Sequence, residues 1–263
     1  MDLGLAGKTA VVTGGSKGTG LAVVRTLLGE GMRVVAGSRR NTPKLKETAA
    51  THVPVDLTTP EGAAELVNRA VAELGGIDVL VNNVGIGDTD DLLAGALNTL
   101  IDLPDEAWRQ TFDLHFYSAL RVTRTALPSL IERKGVVVNV SSAGARIVSA
   151  GPAHYNVAKA ALNALTKVIA EQFGGRDVRA ITVSPGPIST GVWTDPDGLI
   201  GRVGRAQGLS HEEFVRQMTD SLGASTGRIS TPDEVARAIA FLAAPNNING
   251  AEIAVDGGIV KNV

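Results

Sequence analysis

Seven short apolar runs punctuate the chain: KTAVVT (8–13), RVVAG (33–37), HVPV (52–55), IDVLVN (77–82), VVVNVS (136–141), VRAITVS (178–184) and EIAV (252–255). They are rich in β-branched residues and mostly apolar throughout, the pattern of strands covered on both faces. Between most of them lie amphipathic stretches with helical spacing. Strand alternating with helix predicts an α/β fold, a doubly wound parallel sheet with right-handed crossovers. A helix is expected over 105–134, with Asp105 and Glu106 behind Pro104 at its start and Arg133, Lys134 and Gly135 at its end. Pro128 is expected to kink that helix or end its regular part. STPDEVARAIAFLAAP (230–245) reads as another helix start, with Ser230 or Thr231 as cap and Pro232 in the first turn. Residues 187–228, containing TDPDGLIGRVGRAQGLS, read as irregular and glycine-rich. A stretch of that length inside a compact fold is expected to act as a mobile substrate flap. Without repeats or low-complexity linkers, residues 1–263 read as a single domain.

Composition narrows the function. With 263 residues and 44% hydrophobic content, the chain can bury a large core without disulfides or metal. Its formal net charge of −2 gives no basic footprint for nucleic acid. Cysteine is absent, which removes disulfides, a thiolate nucleophile and cysteine metal ligands. The four histidines are scattered without ligand spacing, so no metal site is expected. MDLGLAGKTAVV lacks the basic and long apolar regions of a secretion signal, and no apolar run is long enough to span a bilayer. The expectation is a cytoplasmic protein with no membrane partner.

The first candidate chemistry follows the first strand. Gly14, Gly18 and Gly20 stand in TGGSKGTG between a strand and an amphipathic helix. Tight turns need glycine dihedrals, and a helix N-terminus presents N–H groups to a pyrophosphate, so this is a Rossmann-like phosphate cradle. An ordinary glycine-rich turn is the alternative. In dinucleotide sites an acid about 20 residues further on holds the ribose of NAD. Here that place is Ser38, followed by Arg39 and Arg40, with Lys17 in the glycine loop. Guanidinium forks suit a 2′-phosphate, so NADP(H) is preferred over NAD(H), which stays possible.

The second candidate is AHYNVAKAAL (153–162), where Tyr155 and Lys159 share a helix face. A free phenol titrates near about 10, and an adjacent ammonium is expected to bring it toward the working range. With TGGSKGTG (13–20), VDL (55–57), NNVG (82–85), VSS (140–142), YNVAK (155–159), SPGPIST (184–190) and VDGG (255–258), the chain resembles the short-chain dehydrogenase/reductase superfamily over essentially its whole length. The resemblance implies that Tyr155 exchanges a proton with the substrate oxygen. It implies that Lys159 tunes Tyr155 and bonds the nicotinamide ribose, and that Ser142, thirteen positions before the tyrosine, holds the carbonyl. It further implies cofactor contacts from Gly14, Ser16, Lys17, Gly18, Thr19, Gly20, Ser38, Arg39, Asp56, Leu57, Asn83, Gly85, Pro185, Gly186, Ile188 and Thr190. One position departs from the pattern: His115 in TFDLHFYSALRVT stands where the family usually has a relay asparagine. It reads either as a core residue or as a member of the relay. Phe112, His115, Phe116, Ala119 and Leu120 are expected to face inward.

His154 is expected at the surface or pocket rim. Trp193, Leu199, Ile200 and Val203 could close over an apolar substrate or pack the flap, and residues 86–104 are expected near the same opening. An acidic carrier partner would call for a basic patch, for which Arg121, Arg124, Arg133 and Lys134 are available; they read equally as solvated helix charges. The small residues Ala158, Ala160, Ala161 and Ala164 suit close helix approach in a homodimer or homotetramer. The expected function is NADPH-dependent hydride transfer between nicotinamide and a carbonyl or secondary alcohol, with reduction favoured and a 3-oxoacyl thioester, a secondary-metabolite ketone and a sugar or polyol as the options. The alternative is a non-catalytic NADP(H)-binding regulator.

Overall fold

The structure, a computed structural model, describes residues 2–85, 96–97, 99–148 and 151–261. Its seven strands are β1 (Thr9–Thr13), β2 (Arg33–Ser38), β3 (Thr51–Pro54), β4 (Val79–Asn82), β5 (Val136–Val140), β6 (Arg179–Pro185) and β7 (Glu252–Val255). They form one parallel sheet in the order β3-β2-β1-β4-β5-β6-β7. Parallel pairing requires a crossover after each strand, and alternating side chains then feed two cores. Ala10, Val12, Val79, Val81, Val136 and Val138 face α1 (Gly18–Gly29) and α10 (Pro232–Ala243), and Leu45 of the short α2 (Pro43–Lys46) joins the same core. Val11, Leu80, Val137 and Ala180 face α3 (Pro60–Leu74), α5 (Ser118–Arg133) and α6 (Ala153–Phe173). Each fully buried Val or Leu contributes about 1.5–3 kcal/mol relative to exposure.

Caps set the helix starts. Thr231 and Glu234 form a capping box at α10, and Thr59 caps α3 by accepting from the Gly62 N–H. The expected 105–134 helix is three pieces: α4 (Asp105–Phe112), a π turn (Asp113–Tyr117) and α5. Pro128 does not end it; the helix runs on to Arg133. The irregularity lies at His115 instead, where the Ser118 N–H donates to the Asp113 carbonyl five residues back.

The 187–228 segment also differs from expectation. It contains α7 (Gly191–Thr194), α8 (Leu199–Ala206) and α9 (His211–Leu222). Its glycines serve close packing. A Cβ on Gly201 would fall 1.8 Å from the Pro196 carbonyl oxygen, and one on Gly204 would fall 2.8 Å from Phe214 Cβ. Ser210 and Glu213 close a capping box at α9.

A buried polar chain ties the second layer to the sheet. Asn82 donates to Thr123 (2.9 Å) and to Asn139 (2.8 Å), and Asn139 donates to Thr166 (2.9 Å). Buried polar groups held this way fix one packing of α5 and α6 over β4 and β5. Among the described residues no helix is long and apolar enough to cross a membrane.

Candidate active site

The strand order reverses between β1 and β4, so a crevice opens beyond the carboxyl ends of the strands. The candidate residues converge there because each follows a strand. The glycine loop follows β1, Ser38 and Arg39 lie at the end of β2, and Asp56 and Leu57 follow β3. Asn83 and Gly85 follow β4, Ser142 follows β5, and Pro185 to Thr190 continue from β6.

The glycine loop fits a dinucleotide. Gly14 and Gly18 have φ +66° and +54°, a region that disfavours side chains. A Cβ on Gly20 would stand 2.2 Å from the Gly14 carbonyl oxygen and 2.5 Å from Asn83 Nδ2. The backbone is therefore left bare where a pyrophosphate would approach it. Helix α1 has no side-chain cap and no acid in its first turn, so its positive end is uncompensated by the chain itself. Asn83 braces the loop, its amide donating to the Thr13 carbonyl at 3.2 Å and its N–H to the Thr13 hydroxyl at 2.9 Å. The Thr42 hydroxyl donates to the Ser16 carbonyl at 2.6 Å. From the far side, Thr190 Cγ2 would lie 3.4 Å from a Cβ on Gly18, so the loop after β6 closes against the cradle. Asp56 Oδ1 accepts from the Thr58 N–H and hydroxyl. The Thr58 N–H chiefly holds that carboxyl below its ordinary range, with lesser help from the Thr58 hydroxyl and the Arg39 charge, against the opposing effect of burial. Leu57 is buried among the apolar residues beneath.

Ser142, Tyr155 and Lys159 come together. Ser142 leaves β5 in extended conformation and its Oγ accepts from the Gly144 N–H at 3.0 Å. Lys159 is 2% exposed; its Nζ donates to the Val140 carbonyl at 2.9 Å and stands 5.9 Å from the Tyr155 ring centroid. A Cβ on Gly85 would lie 3.9 Å from that Nζ. Ser141, the strand-end residue, donates instead to the Lys159 carbonyl at 3.1 Å.

The electrostatics correct one expectation. Lys159 does not bring the phenol toward neutrality: burial pushes Tyr155 up to about 12, and a hydrogen bond with Ser142 only partly opposes this. Burial likewise lowers Lys159 to about 7. Burial is the largest influence on both groups, and it disfavours the charged form of each.

His115 is 1% exposed and sits edge-on to Tyr155, ring centroids 5.0 Å apart. Neither ring nitrogen has a hydrogen-bond partner among the described residues. Burial, then the charges of Lys159 and His154, hold its pKa well below the ordinary value, so the imidazole is neutral. Phe112, Phe116 and Leu120 are only half-buried; His115 and Ala119 alone of the expected inward set are fully buried.

Two further features were not read from the sequence. His154 is fully buried, not at the surface; its Nδ1 accepts from the Tyr155 N–H at 2.9 Å and its ring meets Trp108 edge-on. The signal was present: His154, Ala158, Leu162, Thr166 and Ala170 recur every four positions and are all buried. The second is a clamp on the Ser142 loop. Arg146 donates through Nε to Glu252 at 2.9 Å, and Glu252 also accepts from Ser184 at 2.7 Å, joining that loop to β7 and β6.

Over the phenol, Leu199, Val203 and Phe214 are buried in one cluster with Tyr155. Residues 86–95 and 98, expected near this opening, lie outside the described residues. Three of the four basic residues available for a patch have partners within the chain. Arg121 pairs with Asp113 at 2.9 Å, Lys134 with Asp177 at 2.8 Å, and Arg133 donates to the Gly75 carbonyl. Among the described residues no cluster could hold a metal ion.

Comparison with known proteins places this arrangement. A family model described as enoyl-(acyl carrier protein) reductase matches residues 14–260. An uncharacterized oxidoreductase of Bacillus subtilis (strain 168) is 33% identical, with 100% of each chain covered. A 3-oxoacyl-(acyl-carrier-protein) reductase of Vibrio cholerae is 30% identical over 98% of this chain and 99% of its own. The structure of L-sorbose reductase from Gluconobacter frateurii, complexed with NADPH and L-sorbose, superposes with a TM-score of 0.88 at 29% identity, each chain covered in full.

Proposed function

Since the chain belongs to the short-chain dehydrogenase/reductase superfamily, whose members here act on alcohol and carbonyl groups, we propose that it is an NADP(H)-dependent reductase of ketones. The observation that carries this is the buried Ser142–Tyr155–Lys159 set beside the bare glycine cradle. When bound, the reduced dinucleotide supplies hydride. Gly14, Gly18, Gly20 and the first turn of α1 would hold its pyrophosphate, Asn83, Gly85, Asp56 and Leu57 its adenosine half, and Pro185, Gly186, Ile188 and Thr190 its nicotinamide end. Arg39, with Arg40 and Lys17 near, supports a 2′-phosphate. NAD(H) offers no phosphate at that place for those cations to meet.

The proton chemistry falls to three side chains. Tyr155 keeps its proton at neutral pH because burial raises it to about 12. In that form the phenol can give its proton to a substrate oxygen that gains charge. Ser142 Oγ, pinned by the Gly144 N–H, can donate to the same oxygen. Lys159, lowered to about 7, gains its proton when a ligand brings negative charge or hydroxyl acceptors to its Nζ. His115, neutral and with both nitrogens unpartnered, supports a relay that returns a proton toward Lys159. His115→Asn should change the pH dependence of kcat while lowering its maximum by about tenfold. An unchanged profile leaves His115 as packing.

The Leu199, Val203 and Phe214 cluster supports a substrate with an apolar flank beside its carbonyl. The test is NADPH and NADH oxidation with a 3-oxoacyl thioester, an apolar cyclic ketone and a ketose. Turnover with NADPH, about tenfold or more better than with NADH, is expected on one of the first two. Binding of NADPH with no turnover on any substrate would replace the enzyme with a regulator. Exposed Val157 and Val168 on α6 support a homodimer or homotetramer.

A further inference from the structure

At the adenosine end of the crevice, one side chain from β3 reaches across to the end of β2. His52 Nε2 lies 3.0 Å from Ser38 Oγ and 3.0 Å from the Ser38 carbonyl oxygen. A carbonyl only accepts, so Nε2 carries the proton in this arrangement. The Ser38 hydroxyl in turn donates to the Arg40 carbonyl at 3.0 Å. Its single proton is thereby committed, and its oxygen accepts from His52. The Ser38 carbonyl is also reached by the Val55 N–H at 3.2 Å. These bonds fold Ser38, Arg39 and Arg40 into one turn, with Ser38 nearly buried and both arginines exposed. Arg39 then stands near enough to Asp56 to lower its carboxyl.

From this geometry we infer that His52 is the positioning residue for 2′-phosphate recognition. The inference rests on the NADP(H) reading above. Ser38 has no proton left for a phosphate, so recognition falls to the Arg39 and Arg40 guanidinium groups and the main-chain N–H groups of the turn. Those groups discriminate only if the turn is ordered before the ligand arrives, since ordering two long side chains and a backbone turn on binding weakens affinity. His52 supplies that order through the two bonds that hold Ser38, one to its hydroxyl and one to its carbonyl.

The experiment measures binding of adenosine 2′,5′-bisphosphate and adenosine 5′-monophosphate to the cofactor-free full chain by calorimetry. The first fragment carries the 2′-phosphate and the second does not. His52→Leu, which fills space without an N–H, is expected to bind the bisphosphate about tenfold more weakly and the monophosphate unchanged. His52→Gln, which keeps an N–H donor at similar reach, should restore bisphosphate binding to within about twofold. Should the leucine variant not fold, His52→Asn, too short to span both bonds, carries the same comparison. Unchanged bisphosphate binding, or equal loss of both fragments, would overturn the inference while leaving the cofactor reading intact. If the unaltered protein binds both fragments equally, the NADP(H) reading fails and this inference with it.

Discussion

Tyr155→Phe should lower kcat about a thousandfold or more while NADPH binding stays within about threefold. The phenylalanine ring fills the same space, so the Leu199, Val203 and Phe214 cluster and the edge contact with His115 remain. What disappears is one hydroxyl, the group that bonds Ser142 and that burial keeps protonated by raising its pKa to about 12. Its loss leaves half-buried Ser142 to pair with water, so stability should fall by about 1 kcal/mol or less. Stopped-flow single turnovers together with fluorescence titration of NADPH separate the chemical step from binding. A variant that turns over at the unaltered rate would remove Tyr155 from the proton path and end the proposed mechanism.

Gly20→Ala should abolish dinucleotide binding in the measurable range and cost about 2–3 kcal/mol of stability. Its Cβ would lie 2.2 Å from the Gly14 carbonyl oxygen and 2.5 Å from Asn83 Nδ2, neither of them the loose end of a flexible side chain. The glycine loop or the start of α1 must move, and Asn83 also braces Thr13 at the end of β1. Relaxation therefore displaces the N–H groups that a pyrophosphate needs. Gly29, at the other end of the same helix, has nothing within 4 Å of the place a Cβ would take, so Gly29→Ala is the control and should bind NADPH normally. Calorimetric titration with NADPH and a urea melt of each variant test both halves.

The sheet was legible in the sequence because β-branched runs between turn signals carry their own length. All seven strands fall within two residues of the expected starts and ends. The glycine cradle and the Ser142, Tyr155 and Lys159 positions were legible through spacing and order. Beyond His154 and the Arg146 clamp, three things were not. The helices of 187–228 were hidden because glycines read as breakers, whereas Gly201 and Gly204 stand where a Cβ has no room. The sense of the Tyr155 shift was hidden because spacing reports neighbours and says nothing of how completely water is excluded from both. The inward set around His115 was drawn on a regular helical wheel, and the π turn breaks that wheel.

That turn has a consequence of its own. From Ala107 through Thr111 and His115 to Ala119, buried residues recur every four positions, a helix locally underwound relative to its 3.6-residue ideal. Removing one residue from 113–117 would let the coil regain its preferred pitch, yet it would swing everything before the cut by about 100° against everything after it. Trp108 would leave His154, or the imidazole would leave the phenol. Local helical comfort and the alignment of this pocket thus pull in opposite directions at a single turn.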